Sequence, residues 1–253
     1  VRSKGAPRGR QANPRVLIGA GAAAAVIAIV VVLIVVFTGG GSSTPTITQT
    51  VGSAAAGLPG ATEVEAMFKG IPQTGLKLGS PKAPVQMVVY IDLQCPICQN
   101  YDTTVLPTLV SQYIRTGKVQ LEVKPWAFIG PDSARGQKAM FAAAEQNKAF
   151  QFAQVLYDNQ GTENTGWLTD DMLISIAGSV TDMDVPKLMA DRNSSTIAQE
   201  IKDVAASVAA NKVAGTPTIF VGKTGSKPSR VGASNSVPDL SQTEAALDVA
   251  LAG

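Results

Sequence analysis

From residue 85 onward the chain alternates between two apolar rhythms. Val85 to Ile91 (VQMVVYI) is apolar almost throughout and rich in valine, the pattern of a strand buried on both faces. Val119 to Val123 alternates apolar and polar positions and predicts a second strand with one face in the core. Thr218 to Val221 (TIFV) predicts a third strand, and Arg230-Val231 a short edge strand. After the first strand a helix is expected from Pro96 to about Tyr113. Pro96 suits its first position, where a missing N–H does no harm, and Pro107 should kink the helix rather than end it. Gly117 closes that stretch. From Asp132 to Asn211 the sequence is helical in character. Asp132 and Ser133 can cap a helix carrying Met140, Phe141 and Ala144. Phe150 to Tyr157 continues as another helix, and Thr169-Asp170-Asp171 is a helix start with negative charge at the positive end of the dipole. Ile197, Ile201, Val204 and Val208 form a stripe at helical spacing, and Asp239 to Leu251 predicts a final amphipathic helix. The order is strand, helix, strand, long helical insert (about 131–211), strand, weak strand, helix. That is an α/β layout around one sheet with a helical insertion.

Ahead of the domain, expected at 63–253, the pattern changes twice. Residues 38–62 are rich in Gly, Ser, Thr, Pro and Ala without apolar periodicity, and read as a flexible linker spanning roughly 25–30 Å. Val16 to Phe37 holds no charged or strongly polar residue, and its length matches the roughly 20 residues that cross a bilayer as a helix. Arg2, Lys4, Arg8, Arg10 and Arg15 precede it, and no acidic residue occurs before Glu63. With a net charge of +2 overall, these five leave −3 for the remainder. Basic flanks stay on the cytoplasmic side. The expected organisation is therefore a basic cytoplasmic tail at 1–15 touching the inner leaflet, a single-pass transmembrane signal anchor at 16–37, and a domain outside the cell membrane. A cleaved signal peptide is the alternative. Such apolar cores usually run about 7–15 residues; this one is longer, and the A-x-A-like stretch Ala54 to Ala56 lies well beyond its end. The basic tail can also be read as a nucleic-acid binder, but the membrane segment accounts for the same charges, and no nucleic-acid partner is expected.

The chain has two cysteines and no histidine. This excludes Ser–His and Cys–His catalysis and histidine-based metal sites. The cysteines form Cys95-Pro96-Ile97-Cys98, between the valine-rich strand and a helix. A zinc site wants four ligands, so no metal is expected. A plain structural disulfide is the blander alternative, but a loop this short closes little entropy. A helix beginning at the first cysteine favours a thiolate there, through unpaired N–H groups and the helix dipole. Cys95 is then the exposed attacking thiol. Cys98, one turn inward, can resolve the mixed disulfide.

Far along the chain, Gly215-Thr216-Pro217-Thr218 leads straight into the TIFV strand. Taken together, YIDLQCPICQNY, GTPTIFVG, GSPKAPV before the first strand and the helical insert resemble the DsbA-like branch of the thioredoxin superfamily, of the membrane-anchored bacterial type. The similarity covers roughly Gly70 to Gly222. It implies a thioredoxin-like fold, Cys95 as nucleophile, Cys98 as resolving cysteine and Pro217 as a cis-proline facing them. It implies substrate binding at Thr216, whose backbone pairs with the peptide like an added strand, and at Pro96 and Ile97. Two positions depart from the branch. Its buried proton-handling acid, six residues before the first cysteine, is Val89 here. The dipeptide between the cysteines is Pro-Ile where the strongest oxidants have Pro-His, so a less stabilised Cys95 thiolate and a less oxidising disulfide are expected. Asp92, three residues before Cys95, is an acid at a different position from the branch's, and it reads as a strand-end or capping residue no less than as the proton-transfer acid. Trp126, Phe128 and Trp167 read as packing residues, and Lys124 as a solvated strand-end charge. The expected activity is protein thiol–disulfide oxidoreduction without a cofactor, acting on reduced or unfolded secreted proteins and reoxidised by a quinone-linked membrane partner. A reductase or isomerase of the same fold, or a non-catalytic membrane-tethered chaperone, are the other readings.

Overall fold

A computed structural model describes residues 57–253. The expected tail, anchor and most of the linker lie outside the described residues. Among the described residues no helix is long and apolar enough to cross a membrane.

Six strands form one sheet in the order β1-β2-β4-β3-β5-β6. The strands are β1 (Gln73–Thr74), β2 (Lys77–Leu78), β3 (Val85–Ile91), β4 (Val119–Pro125), β5 (Thr218–Lys223) and β6 (Ser229–Arg230). β3 runs parallel to β4 and antiparallel to β5. Its central place explains its composition, since nearly every residue is buried, whereas β4 alternates with a strict period of two. Val89 and Ile91 face helices α2 (Pro96–Thr104) and α5 (Ala149–Asp158), while Tyr90 points to the opposite face, where its hydroxyl meets Ser207 at 2.5 Å. The parallel β3–β4 pair needs a crossover. It consists of α2, a short α3 (Leu106–Leu109) and a π-helical turn, Val110–Ile114. The single helix expected as far as Tyr113 is instead divided: α2 ends at Thr104, and α3 starts after Val105 with Pro107 in its first turn, where its missing N–H costs no hydrogen bond.

The insert between β4 and β5 comprises α4 (Pro131–Glu145), α5, α6 (Asp170–Gly178), α7 (Val185–Asp191) and α8 (Ser195–Ala210). Thr169 caps α6 by accepting from the Met172 N–H, and Asp239 caps the last helix, α9 (Leu240–Ala252), by accepting from Gln242. At α4 the capping differs from expectation. Pro131 opens the helix, and the Ser133 hydroxyl reaches back to accept from the Gly130 N–H at 3.3 Å. Asp132 instead accepts from the Gly166 N–H across the insert.

The domain also starts earlier than Glu63. Helix α1 (Ala61–Phe68) occupies the end of the expected linker, and Leu58 already donates its N–H to the Ser179 hydroxyl. Its buried anchors are Val64 and Phe68, too few for a periodic pattern to stand out. The two-residue strands β1 and β2 are likewise too short to show alternation. Gly79, in the turn from β2 to β3, has φ +103, and a Cβ there would lie 2.7 Å from the Val119 carbonyl oxygen, so only glycine fits.

Candidate active site

Topology brings the two chemical motifs together. Cys95 follows the carboxyl end of β3. Because β5 is antiparallel to β3, with Tyr90 opposite Thr218, the start of β5 lies at that same end. The loop before it carries Thr216 and Pro217, joined by a cis peptide bond. Cys95 Sγ lies 3.6 Å from the Thr216 carbonyl oxygen, across 121 residues of sequence. Both cysteines are free thiols here. Cys98 is 0% exposed. Cys95 is not the exposed thiol expected from the sequence, because only 5% of it is open, with the Thr216 carbonyl against its sulfur. Pro96 and Ile97 are exposed beside it, Ile97 at 54%.

The two thiols differ sharply in acidity. A hydrogen bond from the Cys98 thiol, aided by the backbone N–H groups of Cys98 and Ile97, lowers Cys95 from 9.0 to about 6 against the opposing effect of burial. Those N–H groups belong to the first turn of α2, whose N-cap is Cys95 itself. Burial first, then the neighbouring Cys95 sulfur, pushes Cys98 well above its ordinary value. Near neutral pH the pair is a Cys95 thiolate beside a Cys98 thiol.

A buried polar frame holds this loop. Asp92 accepts through Oδ1 from the Gln94 N–H, and through Oδ2 from the Phe128 and Ile129 N–H groups. Its carbonyl accepts from the Cys95 N–H at 3.0 Å and from the Tyr157 hydroxyl at 3.1 Å. Asp92 therefore has the strand-end, loop-bracing role. Gln94 donates to Ser133 and accepts from the Asn164 N–H, and Gln160 donates to the Leu93 carbonyl. The helical insert is thus bolted to the residues on either side of the cysteines. None of Gln94, Tyr157, Gln160 and Asn164 stands out in the sequence, because their partners lie 39 to 70 residues away.

The expectation for Phe128 needs correction. It is 45% exposed and stacks on Trp126 with ring centroids 4.5 Å apart. Its N–H binds the Asp92 carboxylate, so its ring stands on the rim of the cysteine loop rather than in the core. Trp167 packs within the insert, against Gly161. Lys124 pairs with Glu122 at 2.9 Å. Val89 is buried and lines a small internal cavity together with Asp102, which lies four residues after Cys98 on α2. Helical projection of α2 groups Cys98, Tyr101 and Asp102 on one face, and an acid on that inward face was the available clue to Asp102.

Comparison with known proteins gives a consistent result. A family model described as thioredoxin matches residues 72–234. A Bacillus cereus protein bearing the name probable disulfide bond formation protein D is 36% identical over 151 residues, which is 58% of this chain and 70% of that one. The crystal structure of oxidised BdbD from Bacillus subtilis matches with a TM-score of 0.62 at 21% identity, over 72% of this chain and 98% of that one. Wolbachia pipientis alpha-DsbA1 matches with a TM-score of 0.59 at 20% identity, over 70% of this chain and 90% of that one. At such identities the two structures speak for the fold, a thioredoxin-like sheet with a helical insertion.

Proposed function

The chain belongs to the thioredoxin family and is a DsbA-like thiol–disulfide oxidoreductase; from that premise we propose that it donates disulfides to secreted or surface proteins through Cys95 and Cys98. In the oxidised enzyme a substrate thiolate attacks Cys95 Sγ, the Cys95–Cys98 bond breaks, and Cys98 leaves and takes up a proton. The substrate's second thiolate then attacks the sulfur it shares with Cys95. The substrate departs with its disulfide, and the enzyme is left as a dithiol. A quinone-linked membrane partner removes the two electrons. The substrate peptide lies along Thr216 as an added strand, with Pro217 beneath it and the exposed Pro96 and Ile97 against its side chains.

The observation that carries this reading is the meeting of the two motifs: Cys95, at the N-cap of α2, has its Sγ 3.6 Å from the carbonyl of Thr216, which a cis bond joins to Pro217, and the same setting lowers Cys95 to about 6 beside a Cys98 pushed well up. A stabilised thiolate favours the reduced enzyme, so the disulfide is readily given away. The shift is smaller than that of the strongest oxidant, whose cysteine has a pKa of about 3.5, and slightly larger than that of thioredoxin, at about 7. The reduction potential is accordingly expected between about −120 and about −270 mV. Equilibration of residues 57–253 with glutathione buffers measures it. A value at or below that of thioredoxin would make the protein a reductase and overturn the donor reading.

The family's substrates and the membrane arrangement belong to the same proposal. The basic tail and apolar run of residues 1–37 support an anchored protein whose catalytic domain faces outward, where reduced, newly secreted chains emerge.

A further inference from the structure

Charge is distributed unevenly over the domain. Between Glu65 and Asp92, between Asp102 and Glu122, and between Asp203 and Asp239 the sequence has no acidic residue. These stretches are far apart in the chain, and the sheet brings part of each to one place. β3 and β4 are parallel and start side by side, Val85 opposite Val119, and β5 ends at the same level, Lys223 opposite Val85. Cys95 follows the other end of β3, so this end is the one remote from the cysteines. Six basic residues stand there, all exposed: Lys69, Lys82, Arg115, Lys118, Lys223 and Lys227.

Hydrogen bonds tie their segments together. Arg115 donates to the carbonyls of Met67 and Lys69 at the end of α1. The Lys118 carbonyl accepts from the Val85 N–H. Thr224 donates through its N–H to Pro84 and through its hydroxyl to Ala83, beside Lys82. Gln86 donates to the carbonyls of Lys223 and Ser226, which fixes the turn that carries Lys227. Among the described residues none of the six is in an ion pair with a carboxylate. Asp248 on α9 reaches this end, where it accepts from the hydroxyl of Tyr113, and Lys118 lies over the ring of that tyrosine. Glu65 lies one turn before Lys69 on α1. The sequence carries acid enough to neutralise such a patch, since the chain beyond residue 37 is net −3. It leaves the patch positive instead, and the six cations repel one another unless an anionic surface meets them.

The opposite end of the sheet, roughly 20 Å away along β3, shows the apolar Ile97 and Phe128 around Cys95. We propose that the basic end docks on anionic lipid headgroups of the membrane, which holds the Cys95 end away from the bilayer and toward emerging chains. The inference rests on the membrane arrangement proposed above, not on the direction of disulfide exchange. Two observations favour a bilayer as the anion. An apolar run long enough to span one precedes the domain by about 20 residues, so such a surface is always within reach of the linker expected there. The cations come from four separate segments, which a charged plane meets together. Each basic residue at such a plane is worth about fivefold in attraction. Exchange with a membrane-borne reoxidant then requires the domain to release and turn.

The test uses the full chain in nanodiscs, of phosphatidylcholine alone or with one third phosphatidylglycerol, and reads the acetylation rate of each lysine by mass spectrometry. At low salt Lys69, Lys82, Lys118, Lys223 and Lys227 should react more slowly in the anionic discs, by at least about the fivefold that one interfacial charge supplies. Lys187 and Lys202, on the helical insert, should keep their rates. Salt at about 1 M, where the Debye length is about 3 Å, should abolish the slowing. Lys82→Glu, Lys118→Glu, Lys223→Glu and Lys227→Glu combined should abolish it at Lys69, with the Cys95 alkylation midpoint unchanged as the sign of an intact fold. Should that variant not fold, the lipid and salt comparisons on the wild-type chain decide alone. Equal rates in the two discs, a slowing shared by Lys187 and Lys202, or one that survives high salt overturns the docking and leaves the anchor and the thiol chemistry standing. A chain that does not enter the discs overturns it together with the membrane arrangement, whereas a potential at or below that of thioredoxin overturns the donor reading alone.

Discussion

At the scale of the residue, ionisation separates the groups that do chemistry from those that hold shape. Cys95 titrates at about 6 and Cys98 far higher, so iodoacetamide should modify the reduced protein at Cys95 alone. The rate should climb about tenfold per pH unit below 6 and level off above, as quenched samples read by mass spectrometry would show; equal labelling of both cysteines would contradict the assigned asymmetry. Asp102 makes a second prediction. Its folded value of about 7 lies above its ordinary 3.8, so the folded protein holds a proton that the unfolded chain releases. Its contribution to stability is fully present below about pH 4 and is lost as pH rises through 7. The difference converts to about 4 kcal/mol as an upper bound. Asp102→Asn should therefore gain stability relative to wild type between pH 4 and 7 in urea unfolding, and an unchanging difference would count against the buried carboxyl. The cysteines were legible in the sequence because the chain has only two, three apart after a valine-rich strand, and Pro217 because GTPTIFVG resembles the cis-proline loop of the DsbA-like branch. Phe128 was not, because a lone aromatic carries no mark of whether its ring will face core or solvent. Its exposure beside the cysteine loop predicts that Phe128→Ala raises the KM for apolar peptide substrates severalfold while leaving the Cys95 alkylation profile unchanged.

At the scale of the element, the same contrast holds between long and short segments. β3, β4, β5, α5, α6, α8 and α9 were each readable, since an apolar run, an alternation, a stripe at helical spacing or a capping residue announces them. α1, β1 and β2 were not, because about two helical turns with two buried anchors, or strands of two residues, hold too few apolar positions to form a pattern. α7 gave no pattern of its own; its one buried residue is Leu188. The contact between insert and active site is invisible to periodicity as well, and one glycine sets how closely α4 approaches. Gly136, inside α4, lets that helix approach the cysteine loop so closely that a Cβ would lie 2.9 Å from the Leu93 Cβ and 3.1 Å from Leu168. Neither Leu93 nor Gly136 can yield without moving a backbone, since Gln160 holds the Leu93 carbonyl and Tyr157 holds the Asp92 carbonyl beside it. Gly136→Val should cost about 1–3 kcal/mol of overpacking. It should also shift the Cys95 alkylation midpoint, which a surface substitution on α4 such as Lys138→Val would leave in place.

At the scale of the whole molecule, the chemistry requires a compartment. A disulfide less oxidising than those of the strongest donors is kept by an oxidising exterior and lost to the thiol pools of the cytoplasm. The Cys95–Cys98 pair proposed as the donor is therefore useful in that role only if the domain stands outside. The charge pattern supplies a physical reason for that orientation. Five basic residues precede the apolar run of residues 16–37 with no acid among them, and the polypeptide beyond is net negative. In the proposed arrangement insertion favours keeping such a flank inside, and a linker before the domain would let it reach substrates near the membrane surface. Protease added to spheroplasts expressing the full chain should remove the domain while leaving a cytoplasmic marker intact. Replacing Arg2, Lys4, Arg8, Arg10 and Arg15 together by glutamine should leave a protected fraction, whose Cys95 and Cys98 are found reduced on rapid trapping with a thiol reagent. A domain that resists protease until the membrane is permeabilised, with its cysteines reduced in the unaltered chain, would take away the compartment that disulfide donation needs. The fold and the acidity of Cys95 would then serve the reductase direction instead.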